Sequence, residues 1–387
     1  MRRIGVITGS RAEYGLLRPL LFSLMASETA EPLLIVTGAH LSREHGLTVR
    51  EIREDAVPIA SEISVDLQSD VDSTVARAFG NIAEGMSDVL ARLKPDIVVV
   101  LGDRYEILAA TATAFLLRIP VAHINGGDVT GGSLDDSMRH AIAKLAHLHF
   151  PTTADAAKRL QQLGEDPNQI YCVGSLALDV QNQVEKMDRT LLFAELGIEQ
   201  SADVVLATFH SESNSSDSLP ALDQLIAALD EFPQLQVIWT LSNADRQGLS
   251  INERLRAAAA SHPNFHIFES LGSVRYTNLV RHADFVIGNS SSGVIEAPSL
   301  KTPTVNVGTR QDGRPRARSV VDTASKAEEI YSAIERVQSP EWRAANVDGS
   351  SPYGSPGTAE KICEVLSNVP LSELVKKEFR DTQVQST

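Results

Sequence analysis

The chain has 387 residues, 43% hydrophobic and 22% charged, with a net charge of −15. That length predicts two domains with their own cores, and the composition is that of a soluble globular protein. The acidic balance argues against general nucleic-acid binding, which needs a basic face, but leaves room for a nucleotide held by a few local arginines.

Read from the N-terminus, Ile4–Thr8 is the first predicted strand. It is too short an apolar run for a signal peptide and leads straight into a turn. No later run approaches the roughly 20 apolar residues that span a bilayer, so a cytoplasmic protein without membrane contact is expected. The turn Thr8-Gly9-Ser10-Arg11 stands between strand and helix, where backbone N–H groups can face an anion. Arg11 is either a charge-assisted contact to that anion or an ordinary surface arginine. Leu33–Thr37 is the second predicted strand, followed by His40 and His45, each readable as ligand contact or structural histidine. Val75, Phe79, Ile82, Met86, Leu90 and Leu93 recur at helical spacing.

Ile97–Leu101 and Val121–Ile124 are continuous apolar runs, as strands buried on both faces require. The first stops at Gly102-Asp103-Arg104, the second at Asn125-Gly126-Gly127-Asp128. A glycine-rich loop then opens a helix carrying Asp135, Asp136, Arg139 and His140. Acids at strand ends beside acids at a helix start suit proton chemistry, because clustered carboxylates force their pKa values apart. The plainer reading is helix capping by Asp135 with an i,i+4 ion pair to Arg139, which leaves Asp103 and Asp128 unexplained. Leu148–Pro151 and Ile170–Val173 complete the first strand series.

A polar helical stretch, Leu178–Glu199, precedes a second β-α-β series and sets a domain boundary near residue 180. Its strands are Val204–Phe209, Gln236–Leu241, Phe265–Phe268, Phe285–Ile287 and Thr304–Val307. The predicted fold is α/β: two Rossmann-like doubly wound domains facing a central cleft. The first spans 1–180 and the second 181–365, with 366–387 packing back on the first. The helix Ala359–Ser367 is open to the same placement.

His210 ends the Val204 strand, where it could contact phosphate, act as general acid or be structural. Gly288-Asn289-Ser290-Ser291-Ser292-Gly293 offers small hydroxyls and free N–H donors at a helix start, which suits a diphosphate. Glu296 could accept ribose hydroxyls or simply favour the helix end. Arg310, Arg314, Arg316 and Arg318 crowd one loop, of which at least two read as ordinary solvated arginines. No metal-ligand spacing is present, and Cys172 and Cys363 form no motif, so neither metal nor disulfide is expected.

The motifs TGSRAEYG, VTGAHL, LGDRYE, DDSMRHAIAKLAHLHF, IYCVGS, LSNAD, IGNSSSGVIEAPSL and NVGTRQDGR, in this order, resemble the hydrolysing UDP-N-acetylglucosamine 2-epimerase family. The resemblance implies a glycosyltransferase-B-like architecture, a UDP-sugar substrate, no cofactor and a homo-oligomer, either dimer or tetramer. It implies loss of a proton from C2 as UDP leaves C1, giving a 2-acetamidoglucal, then hydration and reprotonation with C2 inverted. The products would be N-acetylmannosamine and UDP, in nonulosonic (sialic-type) acid biosynthesis. Asp103, Asp128, Asp135 and His210 take the catalytic positions. Arg11, His40, Arg104, Asn125, Asp136, Arg139, Asn243, Ser290, Ser291, Ser292, Gly293, Glu296 and Arg310 take substrate- and UDP-binding positions. The family often places glutamate where this chain has Asn125, and asparagine cannot serve as a carboxylate base. That departure raises UDP-2,4-diacetamido-2,4,6-trideoxyglucose, the legionaminic acid route, as the alternative to UDP-N-acetylglucosamine. A non-hydrolysing epimerase and a glycosyltransferase of the same architecture are the more distant readings.

Overall fold

Apolar runs punctuated by glycine, proline and aspartate build two six-stranded sheets in which every pairing is parallel. The computed structural model describes residues 1–43, 46–65, 72–130, 134–211, 218–242 and 247–381. The chain divides into two compact units, Met1–Val180 with Tyr353–Thr387, and Gln181–Pro352.

The first unit begins β1 (Arg2–Thr8), α1 (Arg11–Met25), β2 (Ala30–Thr37), α2 (Val49–Glu54) and β3 (Ile59–Ile63). It continues α3 (Asp72–Leu93), β4 (Ile97–Leu101), α4 (Tyr105–Leu116), β5 (Val121–Ile124), α5 (Leu134–Leu145), β6 (Leu148–Phe150) and α6 (Ala154–Gln162). Helix α7 (Leu176–Gln183) crosses the boundary. The second unit holds α8 (Arg189–Leu196), β7 (Val204–Thr208), α9 (Leu219–Asp230), β8 (Gln236–Thr240), α10 (Gly248–Ser261) and β9 (Phe265–Phe268). It then holds α11 (Gly272–His282), β10 (Phe285–Gly288), α12 (Ser291–Ile295), β11 (Thr304–Val307), β12 (Val320–Thr323), α13 (Ala327–Gln338) and α14 (Pro340–Asn346). Helix α15 (Thr358–Asn368) returns to the first unit.

The sheet orders are β3-β2-β1-β4-β5-β6 and β12-β11-β10-β7-β8-β9. Counted within each unit they are the same doubly wound order, with the reversal between β1 and β4 and between β7 and β10. Alternation along β1 sends Ile4 and Val6 to one face and Ile7 to the other. Leu17 and Leu20 of α1, with Ile362 and Leu366 of α15, cover the first face. Ile82 and Met86 of α3 and Ile107 of α4 cover the second. In the other unit, α9 and α13 cover one sheet face through Leu222, Leu225, Ile330 and Ile334. Its opposite face packs on Leu192, Phe193 and Leu279. Each such fully buried aliphatic contributes about 1.5–3 kcal/mol. Among the described residues no helix is long and apolar enough to cross a membrane.

Three sequence expectations change. The second unit ends at Pro352 rather than 365, because all of α15 packs on α1 and the β1 face. Asp179 anchors that return: its carboxylate accepts from the backbone N–H groups of Gly357 (2.6 Å), Thr358 (3.2 Å) and Ala359 (2.6 Å) at the start of α15. Ile170–Val173 makes only one bridge to His149, then turns away at Gly174, whose φ is +99°. Two edge strands, β3 and β12, were unforeseen because their sequences, IASEI and VVDT, mix polar and apolar residues.

Four histidines of the first unit lie in its interior. Burial lowers His40 to about 4, His123 to about 3 and His147 to about 4, and lowers His149 as well. An unfolded histidine binds its proton near pH 6.5, so acidification favours the unfolded chain through the window from about 6.5 to about 3. Stability is full above that window and falls across it as each of these histidines must take up a proton to match the unfolded chain. Urea denaturation followed by far-UV circular dichroism should show a clearly lower midpoint at about pH 5 than at about pH 7.5. Equal midpoints would mean the histidines are hydrated in the folded protein.

Candidate active site

In the first unit the ends of β4 and β5 and the start of α5 converge on one buried guanidinium. Arg139, 6% exposed, donates to the backbone oxygen of Asp128 (3.0 Å), to Asp136 Oδ1 (3.2 Å) and to Thr130 Oγ1 (3.1 Å). Its second terminal nitrogen forms a close ion pair with Asp103 Oδ2. Asp136 also accepts from the Thr130 backbone N–H at 2.6 Å, clasping the loop to the helix. His140 lies 3.6 Å from the other Asp136 oxygen. Thr152 donates to Asp128 at 3.1 Å. The expected Asp135–Arg139 pair is therefore replaced: Arg139 takes Asp136 and Asp103. Asp135 stands exposed at the helix start. Partial loss of solvent around its carboxyl and the nearby Asp103 charge push Asp135 above its usual range.

The loop before this helix is fixed by backbone geometry. Asn125 has a φ of +65°, a left-handed conformation asparagine tolerates, and its N–H donates to the Phe150 oxygen at 3.1 Å. Gly127 has a φ of +82°, and a Cβ there would stand 2.3 Å from the Ala156 oxygen. The Gly-Gly pair is thus a packing requirement as much as a functional one.

At the β1–β4 switch point lies a second cluster, of which sequence reading named Arg104 but missed Glu13 and Glu106. Arg104 pairs with Glu106 through two bonds (2.9 and 3.2 Å) and lies 3.8 Å from Glu13 Oε1. Both glutamates are buried. Glu13 Oε2 accepts the Gly9 N–H at 2.7 Å, whereas its Oε1 has no hydrogen-bond partner. Burial, reinforced by the Glu106 charge, raises Glu13 to about 8. The signal was available: Ser10-Arg-Ala-Glu13 is a capping-box sequence, which places Glu13 in the first turn of α1.

Two expected ligand contacts are engaged within the fold. His40 is fully buried, with Nε2 bonded to Thr8 Oγ1 (3.0 Å) and Nδ1 to Thr48 Oγ1 (2.8 Å). Both ring nitrogens are occupied, so His40 is a strut between β1 and α2. Arg11 extends into solvent and pairs with Glu51 at 2.9 Å.

In the second unit, Asn289 organises the ends of β7, β10 and β11. Its side chain accepts the His210 N–H (2.7 Å) and donates to the His210 oxygen (2.8 Å). Its backbone oxygen accepts from Arg310 (3.0 Å) and from buried Gln311 (2.8 Å). His210 Nδ1 lies 3.2 Å from Ser242 Oγ. Ser290 caps α12 by accepting from the Ser292 N–H, and Ser291 is the first helical residue. Ser292 Oγ bonds closely to the Tyr276 hydroxyl. Gly293 packs its backbone oxygen on Thr304 Oγ1 at 2.7 Å. Burial raises Glu296 to about 7 and, together with the Glu296 charge, raises Tyr276 to about 12.

The arginine loop is less available than its sequence suggested. Arg316 pairs with Asp322 at 2.9 Å, Arg318 with Asp348, and Arg314 donates to Gln311 at 2.6 Å. Arg310 alone of the four donates into the serine loop. Asn289 and Gln311 stand inside motifs already singled out but were not assigned roles, and Tyr276 carried no distinguishing sequence signal. Asn243, His45 and the Glu212 that follows His210 lie outside the described residues.

Two doubly wound units, one with acids at its strand ends and one with a serine-glycine loop at its switch point, define a sugar-nucleotide enzyme fold of the glycosyltransferase-B-like class. Residues 23–367 match the model of the UDP-N-acetylglucosamine 2-epimerase family, and the chain belongs to that family. It is 35% identical over 385 residues to the GDP/UDP-N,N'-diacetylbacillosamine 2-epimerase (hydrolyzing) of Campylobacter jejuni, covering 98% of this chain and 99% of that one. It is 34% identical to the UDP-N,N'-diacetylbacillosamine 2-epimerase (hydrolyzing) of Legionella pneumophila, covering 97% and 99%. Both of these relatives are named as hydrolysing enzymes. The fold is also that of a putative UDP-N-acetylglucosamine 2-epimerase from Listeria monocytogenes, with a TM-score of 0.79, 20% identity and 99% of each chain covered.

The serine loop depends on Gly288. Its φ is +126°, and a Cβ would stand 2.0 Å from the Thr208 oxygen. Gly288→Ala should destabilise the second unit by roughly 2 kcal/mol or more. Both tryptophans, Trp239 and Trp342, belong to that unit, so tryptophan fluorescence during urea denaturation reads it directly. An unchanged midpoint would show that the loop tolerates the side chain.

Proposed function

We propose that the protein hydrolyses and epimerises a UDP-linked 2,4-diacetamido-2,4,6-trideoxyglucose, releasing UDP and the free sugar with C2 inverted. The observation that carries the reaction is the acid set held around Arg139. Loss of the C2 proton and its return from the opposite face need two groups with different proton affinities. Asp103, fixed in an ion pair with Arg139, and Asp135, pushed upward at the exposed helix start, stand in different surroundings. Asp128 is the third carboxylate of the same neighbourhood. The leaving diphosphate requires donors, for which the N–H groups of the Ser290–Gly293 loop, Arg310 and His210 are suited.

The choice of sugar rests on Asn125 and on the relatives. An uncharged carboxamide offers both a donor and an acceptor, which suits a second acetamido group better than a carboxylate would. The relatives named for N,N'-diacetylbacillosamine, a 2,4-diacetamido-2,4,6-trideoxy sugar, support the same class. UDP-N-acetylglucosamine, converted to N-acetylmannosamine, is the second reading, favoured by the family to which the chain belongs.

Incubation with each UDP-sugar, followed by proton NMR, decides between them. The diacetamido substrate should release UDP and the 2-epimeric free sugar at least tenfold faster than UDP-N-acetylglucosamine, a difference of about 1.4 kcal/mol in transition-state binding. Faster release of N-acetylmannosamine would reverse the assignment, and a product still carrying UDP would remove hydrolysis. Asp103→Asn should abolish turnover by roughly a thousandfold or more while UDP affinity stays near wild type. Unchanged turnover would take Asp103 out of the mechanism.

A further inference from the structure

At the far end of α5 from its acids, the C-terminal tail makes contacts that the reaction scheme above does not use. Glu165, 3% exposed, is bonded to three cationic or polar side chains. Lys377 reaches its Oε2 at 2.6 Å, His149 Nε2 donates to the same oxygen at 2.9 Å, and Lys144 reaches Oε1 at 2.9 Å. The Lys377 ammonium also donates to the backbone oxygen of Ala146, closely, and of Ala143 at 3.4 Å. These are carbonyls at the end of α5, which have no partner within the helix. A cation there also meets the negative end of the helix dipole.

The rest of the tail is laid on rather than built in. The Arg380 N–H donates to the Gly164 oxygen at 2.9 Å. Phe379 is 64% exposed yet lies against Gly164, where a Cβ would come within 2.4 Å of its ring. Lys144 stands 4.6 Å from the centre of that ring. A cavity of about 260 Å³ lies beneath, lined by His147, Glu165, Gln169, Leu374 and Lys377 among others. Burial alone would raise the Glu165 carboxyl, but hydrogen bonds from His149 and Lys377 bring it down to about 2. The carboxylate is therefore charged; burial lowers Lys377, and the Glu165 charge opposes that lowering.

We propose that Lys377 is a positioning residue for the acid-bearing helix: by closing the carbonyl end of α5 onto Glu165, the C-terminal tail sets where Asp135, Asp136 and Arg139 stand at the other end. This inference rests on the reaction proposed above. Helix α5 has 12 residues, so it is short enough to move as a rigid rod. A shift at its carbonyl end is transmitted to the Arg139 pair with Asp103, and small misplacements of a reacting group are costly in rate.

The test compares Lys377→Met, Lys377→Arg and, as a control on the exposed tail surface, Lys376→Met in the full chain. Nucleotide release gives kcat and KM, and hydrogen exchange reports the α5 amides. Lys377→Met should lower kcat about tenfold with KM within twofold of wild type, and should speed exchange along α5. Lys377→Arg should restore most of kcat, and Lys376→Met should match wild type. Wild-type kcat in Lys377→Met, or a loss that Lys377→Arg does not restore, would overturn the proposal. So would a loss that disappears once rates are corrected for the folded fraction. If Lys377→Met does not fold, Phe379→Ala loosens the same tail at an exposed site and should show the same split between kcat and KM. Wild-type enzyme that releases no nucleotide from either sugar would overturn the reaction instead, and α5 exchange in Lys377→Met would still decide the positioning role.

Discussion

The architecture of the first unit's site depends on how one buried positive charge is shared. Arg139 sits almost out of solvent on α5, and its partners come from three places in the chain: the end of β4, the loop after β5 and its own helix. A guanidinium has five donors in a fixed plane, so it can hold several acceptors at set angles where a lysine ammonium could not. An unpaired buried charge is strongly destabilising, so each acceptor is also what makes the burial tolerable. The consequence for function is geometric. Asp103 and Asp128 follow separate strands and Asp136 stands on the helix, and one residue ties the Asp103 and Asp136 carboxylates and the Asp128 backbone together before any ligand binds.

The second unit solves a different problem with neutral groups. Asn289 bridges β7 and β10 with a reciprocal pair of hydrogen bonds to the His210 backbone, and its own oxygen receives Arg310 and Gln311. Amide-to-backbone bonds fix the loop without adding negative charge near donors meant for an anion. Two of the serine hydroxyls are spent on that scaffold, Ser290 capping α12 and Ser292 bonding to Tyr276, so the loop holds its shape through its own contacts. Such preorganisation is what makes donors effective at a departing diphosphate, because little reorientation remains at the moment of reaction.

Much of this was legible in the sequence because each strand ends where its apolar run ends. Ile97–Leu101 and Thr304–Val307 coincide with β4 and β11 residue for residue. Edge strands β3 and β12 were not legible, since one unpaired side lets polar residues in and blurs the signal. Positions of acids could be read from their motifs, but their partners could not. Local spacing favoured Asp135 for Arg139, whereas the folded chain offers Asp103 from 36 positions away. The same limit hid the tail. Lys377 lies in a charged stretch that looks solvated, and only the return of α15 to α1 carries it to the end of α5.

The asparagine at 125 is easier to understand in this light than as a missing catalytic group. The switch-point region already holds Asp103, Asp128, Asp135, Asp136, Glu13 and Glu106 against Arg104 and Arg139. Two of those acids stay wholly inside the fold, and Glu13, raised to about 8, is largely protonated at neutral pH. A further carboxylate beside Asp128 would add repulsion to a cluster that one arginine already holds together. Proton removal and return need only two groups, provided their environments differ. Asp103 is paired with Arg139 and Asp135 stands exposed beside it, so two carboxylates in unlike surroundings are present without an acid at 125. The position is then free to be chosen for the sugar, and a left-handed asparagine at a strand end places a carboxamide where substrate chemistry, rather than proton transfer, would select it.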